Sequence, residues 1–191
     1  MLRADSLMYI AKNRKNIVII ENDEDATKEE LDEIKQQVLI VDDAILNREL
    51  LSEMLGNDFR ILEASNGAEC IEKLKEYGAG ISIVLLDMVM PVMDGYEVLD
   101  YMNKNHWIDD IPVIVISGED SESYVRKAYE MGVSDYISRP FDVKVVYQRV
   151  INTIKLYAKQ RRLIRMVTDQ IYRRENNNKI LISILSHIVC L

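Results

Sequence analysis

The sequence predicts a doubly wound α/β fold on a five-stranded parallel sheet. Two observations carry that expectation. Short apolar runs without polar alternation recur through the centre of the chain, and an amphipathic run follows each of them. Apolar runs of about four to six residues suit strands buried on both faces, as in parallel sheets. Successive β–α units produce such a sheet, because each right-handed crossover lays its helix on a sheet face.

Taken in order, the strand-like runs are VLIV at 38–41, RILE at 60–63, IVLL at 83–86, VIVI at 113–116 and DYI at 135–137. The helix-like runs are 44–55, 67–77, 95–105, 121–131 and a last one from 142 onward. Length agrees with one such body. The 191 residues, 48% of them hydrophobic, make one domain plus attachments at about 100–150 residues per domain.

Charge and cysteine content narrow the function classes. With 24 basic and 32 acidic side chains the net charge is −8, which argues against a surface wholly devoted to nucleic acid. The charge is unevenly spread: residues 1–36 carry −3, 37–141 carry −12 and 142–191 carry +7. Cys70 and Cys190 stand alone with no CxxC, so neither a disulfide framework nor a zinc site is expected and a reducing cytoplasm is. Arg3 and Asp5 interrupt the first ten residues where a secretory signal needs an apolar core, so no signal peptide is expected. The longest apolar stretch, 180–191, is a dozen residues containing His187. A membrane span needs about 20, so this stretch reads as a helix to be buried by protein.

Ligands of open α/β sheets sit beyond the carboxyl ends of the strands, where strand order reverses. The residues there are Asp42 and Asp43 after the first run, Asp87 after the third, Ser117 after the fourth and Arg139 after the fifth. Singly, each has an ordinary reading, as a helix cap, a turn residue or a surface charge. Together they describe a site. Converging carboxylates repel unless a cation lies between them, and hard oxygen ligands favour Mg2+. A carboxylate, a hydroxyl and a guanidinium around Mg2+ suit a phosphoryl group.

Residues 37–141 resemble the receiver domain of two-component response regulators, a flavodoxin-like fold. The resemblance rests on VLIVDDAILNREL, on LLDMVMPVMDGYEVL around Asp87, on VIVISGED around Ser117 and on GVSDYISRPFD. The intervals 43 to 87, 87 to 117 and 117 to 139 also fall where that family has them. It implies that Asp87 accepts a phosphoryl group from a phosphohistidine of a sensor histidine kinase. It implies that Asp43, Asp87 and the backbone carbonyl of Val89 ligate Mg2+, with Asp42 acting mainly through a water. Ser117 and Arg139 are then the phosphoryl-contacting residues and Tyr136 the switch aromatic. The family has Lys where this chain has Arg139. Arg binds phosphate bidentately, but its planar fork is wider than an ammonium. A phosphorylation-independent pseudo-receiver is the alternative that Arg139 raises. A phosphatase with an aspartyl nucleophile is the enzymatic rival, but such chemistry wants an acid two residues after Asp87, where Val89 stands.

Outside 37–141, residues 1–36 read as a partly helical or flexible extension. From 142 to 175 neither Gly nor Pro interrupts the helix, a span of about 50 Å. Val150, Tyr157, Ile164 and Ile171 recur at heptad spacing, with Tyr147 and Ile154 between them, which predicts a homodimeric parallel coiled-coil arm that transmits the signal. Lys159, Arg161, Arg162, Arg165, Arg173 and Arg174 alternate with apolar residues and no helix-turn-helix follows, so they read as solvated flanks of a coil and not as a nucleic-acid surface. Residues 176–191 read as a linker at Asn176-Asn177-Asn178 and the start of a further helix. NNNKILISILSHIV resembles the lead-in of HD-type (HD-GYP-like) output domains. The expectation is therefore a piece of a receiver–output protein, or a regulator without its output.

Overall fold

A computed structural model describes residues 35–118 and 121–189, with side chains described as far as residue 174. Strands β1 (Gln37–Val41), β2 (Arg60–Ala64), β3 (Ile81–Leu86), β4 (Val113–Ser117) and β5 (Asp135–Ser138) alternate with helices α1 (Ile45–Leu55), α2 (Gly67–Tyr77), α3 (Gly95–Lys104), α4 (Glu122–Glu130) and α5 (Val143–Val189). The five strands form one parallel sheet in the order β2-β1-β3-β4-β5. This is the fold class that the sequence predicts.

The strands are apolar on both faces because both faces are covered. Side chains alternate along a strand, and the alternation sorts them cleanly. Val38, Ile40, Ile83, Leu85, Ile114, Ile116 and Ile137 meet Leu51 and Leu55 of α1 and Val146, Val150 and Ile154 of α5. Leu39, Val41, Val84, Leu86, Val113 and Val115 meet Cys70 and Leu74 of α2, Val98, Leu99 and Met102 of α3 and Ala128 of α4. Each such Val, Leu, Ile or Met side chain contributes up to about 1.5–3 kcal/mol by leaving water.

Side-chain caps set the starts of α2 and α3. Asn66 Oδ1 accepts the Glu69 amide at 3.0 Å. Asp94 and Glu97 form a reciprocal capping box at 2.8 and 2.9 Å. Both motifs satisfy amides that have no partner within the first helical turn.

The last helix departs from expectation in two places. Val150 and Ile154, assigned from the heptad to a dimer seam, are buried in the domain's own core. Tyr147 packs against the same cluster, and its hydroxyl donates to Asp58 Oδ2 at 2.7 Å. The reason is that Ile114, Ile116 and Ile137 need a cover on this face, and the first turns of α5 supply it. One compact unit ends at Lys155 and a second begins at Leu156. Within the second, Leu156, Leu163, Ile164, Met166, Val167, Ile171 and Tyr172 are all more than half exposed. Asn176-Asn177-Asn178 is not a break either, since α5 runs through it to Val189. Asn costs a helix only a few tenths of a kcal/mol relative to its neighbours' types, far less than Gly or Pro. The expectations for residues 1–34 lie outside the described residues. No described helix is long and apolar enough to cross a membrane.

Candidate functional site

Strand order reverses between β1 and β3, with β2 outside the first and β4 beyond the second. A crevice therefore opens at their carboxyl ends. The strand pairing is carried one residue past each strand: the Asp87 amide donates to Val41 O at 2.8 Å and the Asp42 amide to Ala64 O at 3.2 Å. Backbone register thus sets Asp42 and Asp87 side by side. Asp42, Asp43 and Asp87 each offer a carboxylate oxygen, and these oxygens lie within 4.8 Å of one another. Asp42 and Asp87 are 2% and 6% exposed, whereas Asp43 is exposed.

Every carboxylate oxygen of the buried pair is an acceptor. Asp42 Oδ1 accepts from the Ala44 amide at 2.9 Å and from Asn47 Nδ2 at 3.0 Å. Asp87 Oδ1 accepts from the Val89 amide at 3.3 Å. The remaining two oxygens face Arg139. Its Nη1 donates to Asp87 Oδ2 at 3.1 Å, and its Nη2 contacts Asp42 Oδ2. The width of the guanidinium, which set it apart from a lysine in the sequence, lets one side chain span both acids. Arg139 is held in turn by its amide, which donates to Ser117 O at 2.9 Å, and the Arg139–Pro140 peptide bond is cis. Its Nε is buried with no hydrogen-bond partner among the described residues.

Burial pushes the Asp87 carboxyl above the usual aspartate range, and the neighbouring Asp42 adds to the rise. Arg139 and the Val89 amide pull in the opposite direction without cancelling it. Desolvation disfavours the charged form, so a buried carboxylate is a poorer anion until a cation joins it.

The remaining expected residues lie on β4, on β5 and on the loop after β3. Ser117 is fully buried at the end of β4 and pairs in register with Ser138. Tyr136 is 8% exposed and lies in the cluster on the α2–α4 face, so its ring occupies a buried position. Val89, on the loop after Asp87, has an exposed side chain. The MPxMDG segment also has a steric role. A Cβ on Gly95 would stand 2.6 Å from Asp87 O and 2.8 Å from Met88 Cα, so only glycine lets the start of α3 approach the Asp87 loop this closely.

Sequence reasoning missed Asn47, Arg48 and Glu63. Arg48 Nη1 donates to Asp42 O at 2.8 Å and Asp43 O at 3.2 Å, while its Nε pairs with Glu63 Oε2 at 3.2 Å. Helical side chains lean toward the helix N-terminus. Polar residues on the first turns after an acidic pair could have been flagged on that ground. As to a metal, the donor set is one of hard oxygens, which suits a divalent cation of the Mg2+ class. The residues that could hold it are Asp42, Asp43 and Asp87.

A parallel sheet in this order, with an acidic cluster at its switch point, defines a receiver-type α/β domain. Residues 38–151 match the family described as "Response regulator receiver domain". The chain belongs to that family, the receiver domains of two-component systems. It is 33% identical over 120 residues to "Chemotaxis protein CheY" of Halobacterium salinarum, covering 62% of this chain and 97% of that one. It is 36% identical over 113 residues to a "Probable cyclic di-GMP phosphodiesterase" of Vibrio cholerae, covering 59% of this chain. The match spans only 25% of that relative, and a second relative, "Probable transcriptional regulator ycf29" of Pyropia yezoensis, is spanned over 52% of its length. Among solved structures, the chain is similar to one of a CheX-CheY-BeF3-Mg+2 complex from Borrelia burgdorferi, with 34% identity and a TM-score of 0.56, covering 61% of this chain and 87% of that one.

Proposed function

We propose that this chain is a phospho-accepting response regulator whose acceptor is Asp87. The observation that carries the reading is the acidic cluster at the switch point with Arg139 bridging Asp42 and Asp87. An oxygen of Asp87 attacks the phosphorus of a phosphohistidine on a sensor histidine kinase. The P–N bond breaks, its electron pair stays on the imidazole nitrogen, which takes up a proton, and an acyl phosphate is left on Asp87. Asp43, Asp87 and the Val89 carbonyl would hold Mg2+, with Asp42 acting through a water. When bound, the ion neutralises charge between nucleophile and phosphoryl oxygens. This chain's own contribution is positioning. Register aligns Asp87 beside Asp42, Gly95 brings the start of α3 against its loop, and Arg139 offers a guanidinium that reaches both acids. Ser117 donates to a phosphoryl oxygen, and Tyr136 moves with it as the switch aromatic. The direct contact of Arg139 with Asp87 speaks for this reading over a phosphorylation-independent module.

Partner docking fits the same edge of the sheet. Ile45, Leu46 and Leu50 on α1 and Val89 and Val92 after β3 are exposed apolar side chains on the elements that leave the acidic strand ends. The exposed series Leu156, Leu163, Ile164, Val167 and Ile171 supports a homodimeric helical arm that carries the state of Asp87 onward. The reading places the protein in the cytoplasm, as an acceptor and not as an enzyme acting on its own substrate. A phosphodiesterase output is supported by the Vibrio relative's name, and its HD type only by the resemblance of the 176–189 sequence.

The test is incubation with Mg2+ and a small-molecule phosphodonor, followed by intact mass. Wild type gains one phosphoryl adduct and Asp87→Asn gains none; no adduct on wild type rejects the reading. Light scattering then reports the arm. Ile164→Asp with Ile171→Asp turns a dimer into a monomer, and a monomeric wild type at all concentrations rejects the dimer.

A further inference from the structure

We infer that Arg48 is a positioning residue that presets the acidic pair for its cation, an inference that rests on the reading of Asp42, Asp43 and Asp87 as the Mg2+ site. The guanidinium lies on α1, yet it is spent on the loop before the helix. One nitrogen, Nη1, donates to two successive carbonyls, Asp42 O and Asp43 O. Its opposite edge is anchored by Glu63, the penultimate residue of β2, and Glu63 Oε1 also accepts from Ser52 Oγ at 2.7 Å. Arg48 is itself only 14% exposed, so it is not an incidental surface pair.

Holding two successive carbonyls fixes the orientation of the peptide planes on either side of Asp43. Those planes determine where the Cα–Cβ bond of Asp43 points, and the first of them bears on Asp42 as well. The two acids differ in what else restrains them. The Asp42 side chain is held by Ala44, Asn47 and Arg139. The Asp43 side chain makes no hydrogen bond among the described residues, so the Arg48 contacts to the backbone flanking it are what aim it. Arg48 also places a cation beside the like-charged pair without occupying any carboxylate oxygen that a metal would need. Arg139 cannot do that, because it sits on two of those oxygens. The division of labour is therefore one arginine on the side chains and another on the backbone behind them.

A positioning residue of this kind changes how much Mg2+ is needed and not how fast the loaded site reacts. The experiment follows phosphorylation of the full chain by a small phosphodonor across a Mg2+ series, with Mg2+ binding measured separately by calorimetry. In Arg48→Met the Mg2+ concentration for half-maximal rate rises about tenfold, corresponding to ~1.4 kcal/mol, while the rate at saturating Mg2+ stays within about twofold. Arg48→Lys, with one compact ammonium to share between the carbonyls, recovers part of the shift. Glu63→Gln keeps the arginine but loosens its anchor, and it shifts the Mg2+ requirement in the same direction by less. That exposed substitution keeps the inference testable if Arg48→Met fails to fold. An unchanged Mg2+ requirement in folded Arg48→Met, or in Glu63→Gln if the former does not fold, overturns the role of Arg48 alone. A saturating rate that collapses with no change in Mg2+ requirement overturns it too. If wild type neither binds Mg2+ nor forms an adduct, the underlying reading of the site falls as well.

Discussion

The acidic pocket and the second half of α5 handle burial in opposite ways. In the pocket, two charged side chains are almost fully buried and each of their oxygens has a donor. In the second half of α5, Leu156, Leu163, Ile164, Met166, Val167, Ile171 and Tyr172 stand more than half exposed. The pocket is over-determined and the arm under-determined. Each deviation from the usual distribution of residues implies a different partner. Buried carboxylates call for a cation, and an exposed apolar stripe at helical spacing calls for a second helix.

The sharpest way to break this comparison is to make one substitution on both sides of Lys155. Ile154 is 1% exposed and Ile164 is 59% exposed on the same helix. Ile154→Ala should cost about 2–4 kcal/mol of unfolding free energy in urea. Ile164→Ala should cost the sheet-bearing unit under about 0.5 kcal/mol, and should act instead on the oligomeric state. Equal costs at the two positions would mean that the segment from Leu156 is as much a part of the core as the turns before it.

Next in size is the loss of the bridge. Arg139→Met leaves Asp42 and Asp87 side by side without their guanidinium. Removing one partner of a buried ion pair costs about 3–5 kcal/mol, and the partial exposure of Arg139, 23%, lowers the expectation to about 2 kcal/mol. Chemical denaturation without divalent metal reads this directly. A variant as stable as wild type would show that the pocket carries no strain from its carboxylates.

The smallest effect is a pH dependence. The Asp87 pKa is raised in the folded protein, chiefly by burial, so the native state holds its proton to higher pH than the unfolded chain does. Stability without metal then falls as pH rises from the ordinary aspartate range through the raised value. Asp87→Asn removes this dependence. Its melting temperature should match wild type in acid and exceed it by a few degrees near neutral pH. A gap that widens toward acid instead would mean that the Asp87 pKa is lowered, not raised.

Much of the fold was legible because a parallel sheet is built from continuous apolar runs, and those runs are visible without a structure. The misses are physical. The run 83–86 begins two residues late because Ser82 interrupts the apolar letters, although it is fully buried within β3. Tyr147, Val150 and Ile154 share a stripe with Tyr157, Ile164 and Ile171 because a heptad and a helical face nearly coincide over a few turns. Only packing divides that stripe into a part that covers the sheet and a part that does not. Asp42, Asp43, Asp87, Ser117 and Arg139 were legible as a set because strand ends converge on one edge. Arg48 and Glu63 were not, since a guanidinium bound to backbone carbonyls leaves no mark in side-chain spacing.

The sequence by itself determined the sheet, its parallel sense, the edge where chemistry gathers and the acids that gather there. All of these follow from local periodicity and chain connectivity. The tertiary structure alone decided that one guanidinium spans two carboxylates, that a second one holds the backbone behind them, and that α5 changes role after Lys155. Each of these depends on distances between residues far apart in the chain or on which face is already covered, and neither quantity is written in the spacing of letters.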